Sequence, residues 1–390
     1  MINKIAIVTT HPIQYQAPLF RAISEKNHID LTVYFGSDHG IKPSSDPGFG
    51  KTIIWDIPIL EGYRSIFLRN SRPGITVFDW RLDGPELQEC FSRNRYDAVL
   101  IYGWNKKLCW QATHWAATNN IPQILIGESN LTHRQSLAVR MVKLLVFPRY
   151  FRRFRAFLAI GTLNSNLYRH YGVPQEKIFL APYSVDNDFF ADRALEARDA
   201  AAALRQNFGI VENDLVFLYV AKLIDRKRPL DLILAHHELR DRKDIHTIIV
   251  GDGPLSNDCL NMARKDGMNN VHLVGFKNQT ELPLYYAAAN VMVLPSEYET
   301  WGLVVNEAMA CGIPCIVSNK CGCAPDMIIP GETGFTYPVG DVRALAHAMT
   351  LFSDRQLLKQ MSDSARSLAC DFRIDKTVVA LEAALRSIHG

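Results

Sequence analysis

Val291-Met292-Val293-Leu294-Pro295-Ser296-Glu297-Tyr298-Glu299-Thr300-Trp301-Gly302-Leu303-Val304-Val305-Asn306-Glu307-Ala308-Met309-Ala310-Cys311-Gly312 passes from a short apolar run, through a loop, into a stretch of small and apolar residues. The four-residue run reads as a buried parallel strand that Pro295-Ser296 ends, and the later stretch as a helix. Gly302 lets the backbone turn tightly into that helix. The amides of Gly302, Leu303 and Val304 are then expected as unpaired first-turn donors at the carboxyl edge of a sheet. Such a helix start favours a diphosphate. In this reading Glu299, on the loop, accepts hydrogen bonds from sugar hydroxyls, and Glu307, about two turns into the helix, accepts from a vicinal diol such as a ribose. Spacing alone leaves open that both are solvated charges, because Glu is mostly exposed.

Outward from this stretch, strand-like apolar runs alternate with longer amphipathic segments. They are Ile5–Val8, Leu31–Phe35, Ala98–Tyr102, Gln123–Ile126 and Ala156–Ile160 in the first half. Val216–Val220, Thr247–Val250, Val271–Val274, Val291–Leu294 and Cys315–Val317 form a second series. Alternation of this kind predicts an α/β protein with parallel sheets covered on both faces, and two series predict two doubly wound domains. Strand periodicity lapses across Ser184–Phe190 and Ala191–Arg205, which places the break at about residue 185. The 390-residue length suits two domains, and a 48% hydrophobic content supplies a core for each.

The net charge of +3 is too small for a nucleic-acid binder. No stretch reaches the roughly 18 apolar residues of a membrane span, and the start Met1–Val8 turns polar too soon for a signal peptide, so a cytoplasmic chain is expected. Cys311, Cys315, Cys321 and Cys323 fall close together but lack paired Cys-x-x-Cys spacing, so no metal site is assigned and reduced thiols are expected.

Tyr219-Val220-Ala221-Lys222-Leu223-Ile224-Asp225-Arg226-Lys227-Arg228 is a strand followed by a cluster of cations. A charge run is often only a solvated face, yet here it follows a strand end, where an open sheet places its ligand, and a pyrophosphate needs such compensation. Gly251-Asp252-Gly253-Pro254 follows the next strand and by itself means only a turn.

The run Glu299–Leu303, the following Glu307-Ala308-Met309-Ala310-Cys311-Gly312-Ile313-Pro314 and the strand Cys315-Ile316-Val317-Ser318 together resemble the donor-site signature of glycosyltransferase family four, group 1. In sequence order the basic cluster, Gly-Asp-Gly-Pro, Val274-Gly275-Phe276 and the glutamate pair resemble its whole donor domain, over about residues 180–370. The resemblance implies the GT-B architecture: two Rossmann-like domains facing a central cleft, residues 1–185 on the acceptor side and 186–371 on the donor side. A last helix, about 372–390, would pack back on the first domain. It implies a retaining, metal-independent hexosyltransferase with no cofactor beyond its nucleoside-diphosphate-sugar donor. UDP is the preferred nucleotide, a choice to which fold-level analogy adds nothing. Lys222 and Lys227 would bind the donor phosphates; the usual first residue is arginine, so Lys222 keeps the charge and loses the bidentate fork. Gly251, Gly253, Gly275, Phe276, Trp301, Gly302, Leu303 and Val304 would complete the donor site with Glu299 and Glu307. Asp186-Asn187-Asp188 carries a metal in a different glycosyltransferase fold, but here it sits in the linker in a family-four context.

The first half departs from the pattern. The loop after its first strand, Thr9-Thr10-His11-Pro12-Ile13-Gln14-Tyr15-Gln16, lacks the common glycines and resembles the His-Pro-x-x-Tyr loop of some subgroups. His11 is a catalytic candidate, with Gln14 and Tyr15 on the acceptor side; His11 as a plain turn residue stays open. Where many members carry a histidine, this chain has Tyr102-Gly103-Trp104. A histidine base there is doubtful, and in retaining chemistry the departing phosphate can itself take the acceptor proton. Glu128 and His133 are further acceptor-side candidates or ordinary loop residues.

Residues 137–157 interleave Arg140, Lys143, Arg149, Arg152, Arg153 and Arg155 with Met141, Leu144, Leu145, Phe147 and Phe151. The pattern fits a surface lying on anionic lipid, or a helix packing its apolar side on the core. The first alternative implies a peripheral membrane protein with a lipid-linked or envelope-glycan acceptor; otherwise the same arginines are open to holding an anionic soluble acceptor. Two rival functions remain at this level: a GT-B nucleotide-sugar 2-epimerase, and a non-catalytic nucleotide-sugar-binding protein.

Overall fold

The computed structural model describes residues 3–41, 44–46, 48–132, 136–265 and 267–389. Its strands run β1 (Asn3–Thr9), β2 (Ile29–Phe35), a short pair β3 (Ser44–Asp46) and β4 (Lys51–Ile53), then β5 (Arg64–Phe67), β6 (Ala98–Tyr102), β7 (Gln123–Gly127), β8 (Ala156–Ala159) and β9 (Ile178–Leu180). After these come β10 (Leu215–Val220), β11 (Ile245–Val250), β12 (Val271–Gly275), β13 (Val291–Leu294), β14 (Cys315–Ser318) and β15 (Gly334–Tyr337).

The first sheet has the order β5-β2-β1-β6-β7-β8-β9, and every pair in it is parallel. The second has the order β12-β11-β10-β13-β14-β15, again parallel throughout. Parallel neighbours need crossover connections, and these supply the helices that cover the sheets. Burial on both faces explains why Ile5–Val8 of β1 and the whole of β6, β10 and β13 are continuous apolar runs. Each sheet reverses its building direction once, between β1 and β6 and between β10 and β13, and such reversals leave a crevice at the carboxyl ends of the two strands.

The chain forms two compact units. One holds Met1–Ser44, Ile57–Tyr183 and Ile374–Gly390; the other holds Ser45–Asp56 and Ser184–Arg373. The expected first domain, 1–185, is therefore interrupted: Ser45–Asp56 groups with the second unit. Lys51 Nζ lies 2.7 Å from Asp252 Oδ2, Asn278 Nδ2 donates to the Ile54 carbonyl at 2.7 Å, and the Phe49 and Phe276 rings meet edge to face at 4.9 Å. The last helix, Ile374–His389, packs within the first unit on the helix Ala17–Ser24 and on β8 and β9. Thr377 Oγ1 donates to the Pro182 carbonyl there at 2.6 Å.

Three of the strands absent from the expected series, β5, β9 and β15, are sheet edges. An edge strand is half-exposed and needs no continuous apolar run, and Arg64-Ser65-Ile66-Phe67 has none. The linker after residue 185 is helical, over Asn187–Glu196 and Arg198–Asn207. Asp186 caps the first of these by accepting from the Phe189 amide at 3.0 Å, and Asp188 pairs with Arg373 at 2.6 Å, so the Asp-x-Asp has structural work at both ends. Among the described residues no helix is long and apolar enough to cross a membrane.

Phe217, in β10, is fully buried against Phe352 in the core of the second unit. Phe217→Ala is expected to lower that unit's stability by about 3–5 kcal/mol, read as a lower urea midpoint for its transition.

Candidate active site

The loops leaving β10 and β13 meet at the point where the second sheet reverses. Lys227, in the single turn Asp225–Lys227 after β10, donates to Glu299 on the loop after β13. Glu299 is only 6% exposed. Such a carboxylate needs a charged or hydrogen-bonding partner, and its partners include Lys227, the buried Ser296 hydroxyl at 3.0 Å and Arg226 Nη1 at 3.9 Å. The loop is held on both sides. The Glu299 amide donates to the Lys320 carbonyl at 3.3 Å and the Cys323 amide to the Trp301 carbonyl at 3.0 Å. A Cβ on Gly322 would lie 1.9 Å from the Thr300 carbonyl oxygen, so no side chain fits at that crossing.

Trp301 departs from its expected place in the donor site. It is 2% exposed, and its indole N–H donates to Asn306 Oδ1 at 2.8 Å, so its part is to fix the loop to the helix that follows. Gly302 has φ +113°, a conformation that favours glycine, and the helix Leu303–Ala310 begins directly after it. The Leu303 and Val304 amides, in the first turn, have no intrahelical acceptor. Glu307 lies just over one turn in, closer to the helix start than expected, and accepts from the Tyr286 hydroxyl at 2.6 Å. Burial raises its carboxyl to about 7, against the lowering effect of Tyr286.

Lys222, just past β10, does not join Glu299. Its ammonium pairs with both Asp46 oxygens, at 2.8 and 2.7 Å, and lies 4.6 Å from the Phe49 ring centroid. Burial works to raise the Asp46 carboxyl, but Lys222 and the Gly48 and Phe49 amides hold it below its ordinary value. Gly253 approaches the same segment: a Cβ on it would lie 2.9 Å from the Gly48 carbonyl oxygen. The Gly251 amide donates to the Gly275 carbonyl at 2.9 Å, and Phe276 lies against Phe49 with the Lys51 ammonium 5.0 Å from its ring centroid. Asp46 was not legible in the sequence, where Ser45-Asp46-Pro47-Gly48 reads only as a turn. Ser296 and Tyr286 were also missed, although Pro295-Ser296 stood at a predicted strand end.

In the first unit the loop after β1 carries His11, Gln14 and Tyr15, and β6 ends at Tyr102. His11 Nδ1 lies 2.8 Å from Thr10 Oγ1, and its ring meets His39 edge to face at 5.3 Å. Burial, then the nearby His39 and Lys106, lower it to about 4, so it is neutral at physiological pH. Glu128, after β7, accepts from the Tyr183 hydroxyl and from Tyr15, with Tyr102 close by. Burial raises its carboxyl against both hydrogen bonds. Tyr15, Tyr102 and Glu128 are thus one cluster. Gln14 is half-buried in the same loop as His11, and His133 lies outside the described residues.

The basic segment is a helix, Leu137–Phe151, capped by the Ser136 hydroxyl. Its two halves differ in burial. Phe147, Tyr150 and Phe151 enter the core of the unit, while Leu137 (76% exposed), Met141 (60%) and Leu145 (60%) lie open to solvent.

Residues 201–368 match the family model described as glycosyl transferases group 1. N-acetyl-alpha-D-glucosaminyl L-malate synthase of Bacillus anthracis is 31% identical over 201 residues, covering 50% of this chain and 51% of that protein. The Escherichia coli UDP-Gal:alpha-D-GlcNAc-diphosphoundecaprenol alpha-1,3-galactosyltransferase is 32% identical over 210 residues, 52% of each. The chain therefore spans about half the length of the curated relatives it matches. Among solved structures, Anabaena HepE in complex with UDP and glucose aligns over 98% of this chain and 99% of that one, with TM-score 0.71 and 18% identity. A glycosyltransferase from Rickettsia africae aligns over 99% of both chains, with TM-score 0.76 and 16% identity. At these identities the likeness shows the fold alone, which is GT-B.

Because Glu307's carboxyl is raised in the folded state, its protonated form favours folding; that contribution is full below its ordinary 4.5 and is lost as pH rises through about 7. Glu307→Gln stays neutral, so its melting temperature relative to the native protein is expected to climb between about pH 5 and about pH 8. A difference that does not vary with pH would contradict the burial described.

Proposed function

We propose, from the premise that residues 201–368 belong to the glycosyl transferases group 1 family, that this protein transfers a hexosyl-type sugar from a nucleoside diphosphate to an acceptor hydroxyl with retention of configuration. The observation that carries the reading is the Lys227–Glu299 pair at the β10/β13 reversal, a buried carboxylate and a partly buried cation beside a helix start whose first-turn amides have no intrahelical acceptor. Lys227 and Lys222 would take the donor diphosphate and stabilise the charge that develops as the sugar–oxygen bond breaks. Glu299 would orient the sugar hydroxyls, Glu307 the ribose, and the Gly302, Leu303 and Val304 amides one phosphate. Glycines 251, 253 and 275 and Phe276 would shape the nucleoside end, with UDP the favoured nucleotide.

In the first unit, the neutral His11 and the Tyr15, Tyr102 and Glu128 cluster would bind the acceptor hydroxyls, with Gln14 beside them. The acceptor proton would pass to the departing phosphate as the new glycosidic bond forms on the same face. Two lysines supply the charge compensation, so the scheme draws on no metal and no cofactor. The exposed apolar side chains and cations of Leu137–Phe151 support a peripheral contact with anionic lipid on the cytoplasmic face, and with it a lipid-linked acceptor in cell-envelope glycan synthesis.

Purified protein is expected to melt at higher temperature with one family among UDP, GDP, ADP and their sugar conjugates, equally with and without EDTA. No shift with any of them would overturn the donor site, and a shift abolished by EDTA would overturn the metal-independent scheme. Glu299→Gln is expected to lower kcat/KM by about 10²–10³ while circular dichroism stays native.

Asp46→Asn releases Lys222 from its half-exposed ion pair, so nucleotide affinity should tighten about two- to fivefold by calorimetry. An unchanged or weaker affinity would mean that Lys222 takes no part in phosphate binding.

A further inference from the structure

The first unit holds a cavity of about 480 Å³ that the proposed chemistry leaves unassigned. Trp104, Phe147 and Tyr171 form its aromatic wall, and Arg140 and Lys143 bring cations to it, with the His170 imidazole beside them. Among the described residues that line it there is no carboxylate. Among the described residues, neither Arg140 nor Lys143 has an acidic partner; Lys143 only lies 5.5 Å from the Phe147 ring centroid. Burial lowers the Lys143 ammonium, and Arg140 acts electrostatically on Tyr171. The wall is built to order: Trp104 packs on Phe147 at 5.4 Å and on Phe151 at 5.7 Å, and it crosses Gly127 where a Cβ would lie 2.3 Å from its ring. The cavity stands at the carboxyl ends of β6 and β7, the edge at which parallel sheets bind ligands.

The helix Leu137–Phe151 contributes Arg140, Lys143, Leu144 and Phe147 to this cavity, a spacing that puts all four on one face. Leu137, Met141 and Leu145, each four positions apart, form the adjoining exposed face, and Leu144 joins the two. A cationic cavity that opens onto an apolar strip fits a ligand with an anionic head and a long apolar chain.

We infer that this cavity binds the phosphate or diphosphate head of a lipid carrier, with the chain lying along Leu137, Met141 and Leu145. Calling that carrier the acceptor rests on the glycosyltransferase reading; the cavity's preference for an amphiphilic phosphate does not. Arg140 and Lys143 bind the head by charge-assisted hydrogen bonds, and the aromatic wall keeps water from it. At 480 Å³ the cavity has room for a diphosphate and a sugar ring but not for the chain, which is why the chain needs the exposed face.

Calorimetric titration of the full-length protein with farnesyl diphosphate, farnesol and inorganic pyrophosphate tests this, with UDP titrated in the same preparations. Farnesyl diphosphate is expected to bind at least about tenfold more tightly than either half alone. Arg140→Ala/Lys143→Ala should weaken it about tenfold or more and leave UDP binding unchanged. Met141→Ser/Leu145→Ser should weaken farnesyl diphosphate while pyrophosphate binding stays as it was. Farnesol or pyrophosphate binding as tightly as the conjugate, or full binding by the double-alanine protein, would overturn the inference. Absence of UDP binding with farnesyl diphosphate still bound would overturn the donor site and leave this cavity's assignment standing.

Discussion

Glu299 is a carboxylate nearly removed from water, and an ion in that position is stable only with its partners in place. Lys227 supplies the charge and Ser296 a hydrogen bond, and those two residues come from loops after different strands, β10 and β13. The pair can exist only because the second sheet reverses between these strands and sets their carboxyl ends side by side. Much of the local covalent structure serves that placement. Gly302 takes a backbone angle closed to other residues, Gly322 lets two chain segments pass within contact, and Trp301 locks the loop to Asn306.

Other charges of the second unit are also paired within it. Lys222 is held by Asp46, Lys51 by Asp252, and Glu307 is held partly protonated by burial with the Tyr286 hydroxyl as donor. An anionic ligand arriving at Lys222 competes with a carboxylate already there, while at Glu307 a ligand that donates hydrogen bonds favours ionisation.

In the first unit the same topological logic applies with different chemistry. The loops at its β1/β6 reversal carry a histidine made neutral by burial, and near them a buried glutamate is surrounded by tyrosine hydroxyls. The helix Leu137–Phe151 divides its labour along its length. Its later aromatic residues complete the core, while its earlier part leaves apolar and cationic side chains exposed.

The interior strands of both sheets, the existence of two α/β units and the carboxylate–cation composition of the loops after β10 and β13 were determined by sequence, because strands buried on both faces are continuous apolar runs. Edge strands such as Arg64–Phe67 were not, since half-exposed strands carry no such run. Only the tertiary structure decided which charges meet. Lys222 and Lys227 look alike five residues apart, yet one pairs with Asp46 and the other with Glu299. Trp301 looks like a ligand-facing aromatic beside Gly302, yet it is turned inward to Asn306. Such pairings join residues as many as 176 positions apart, and no local pattern encodes a distance that only the crossover topology sets.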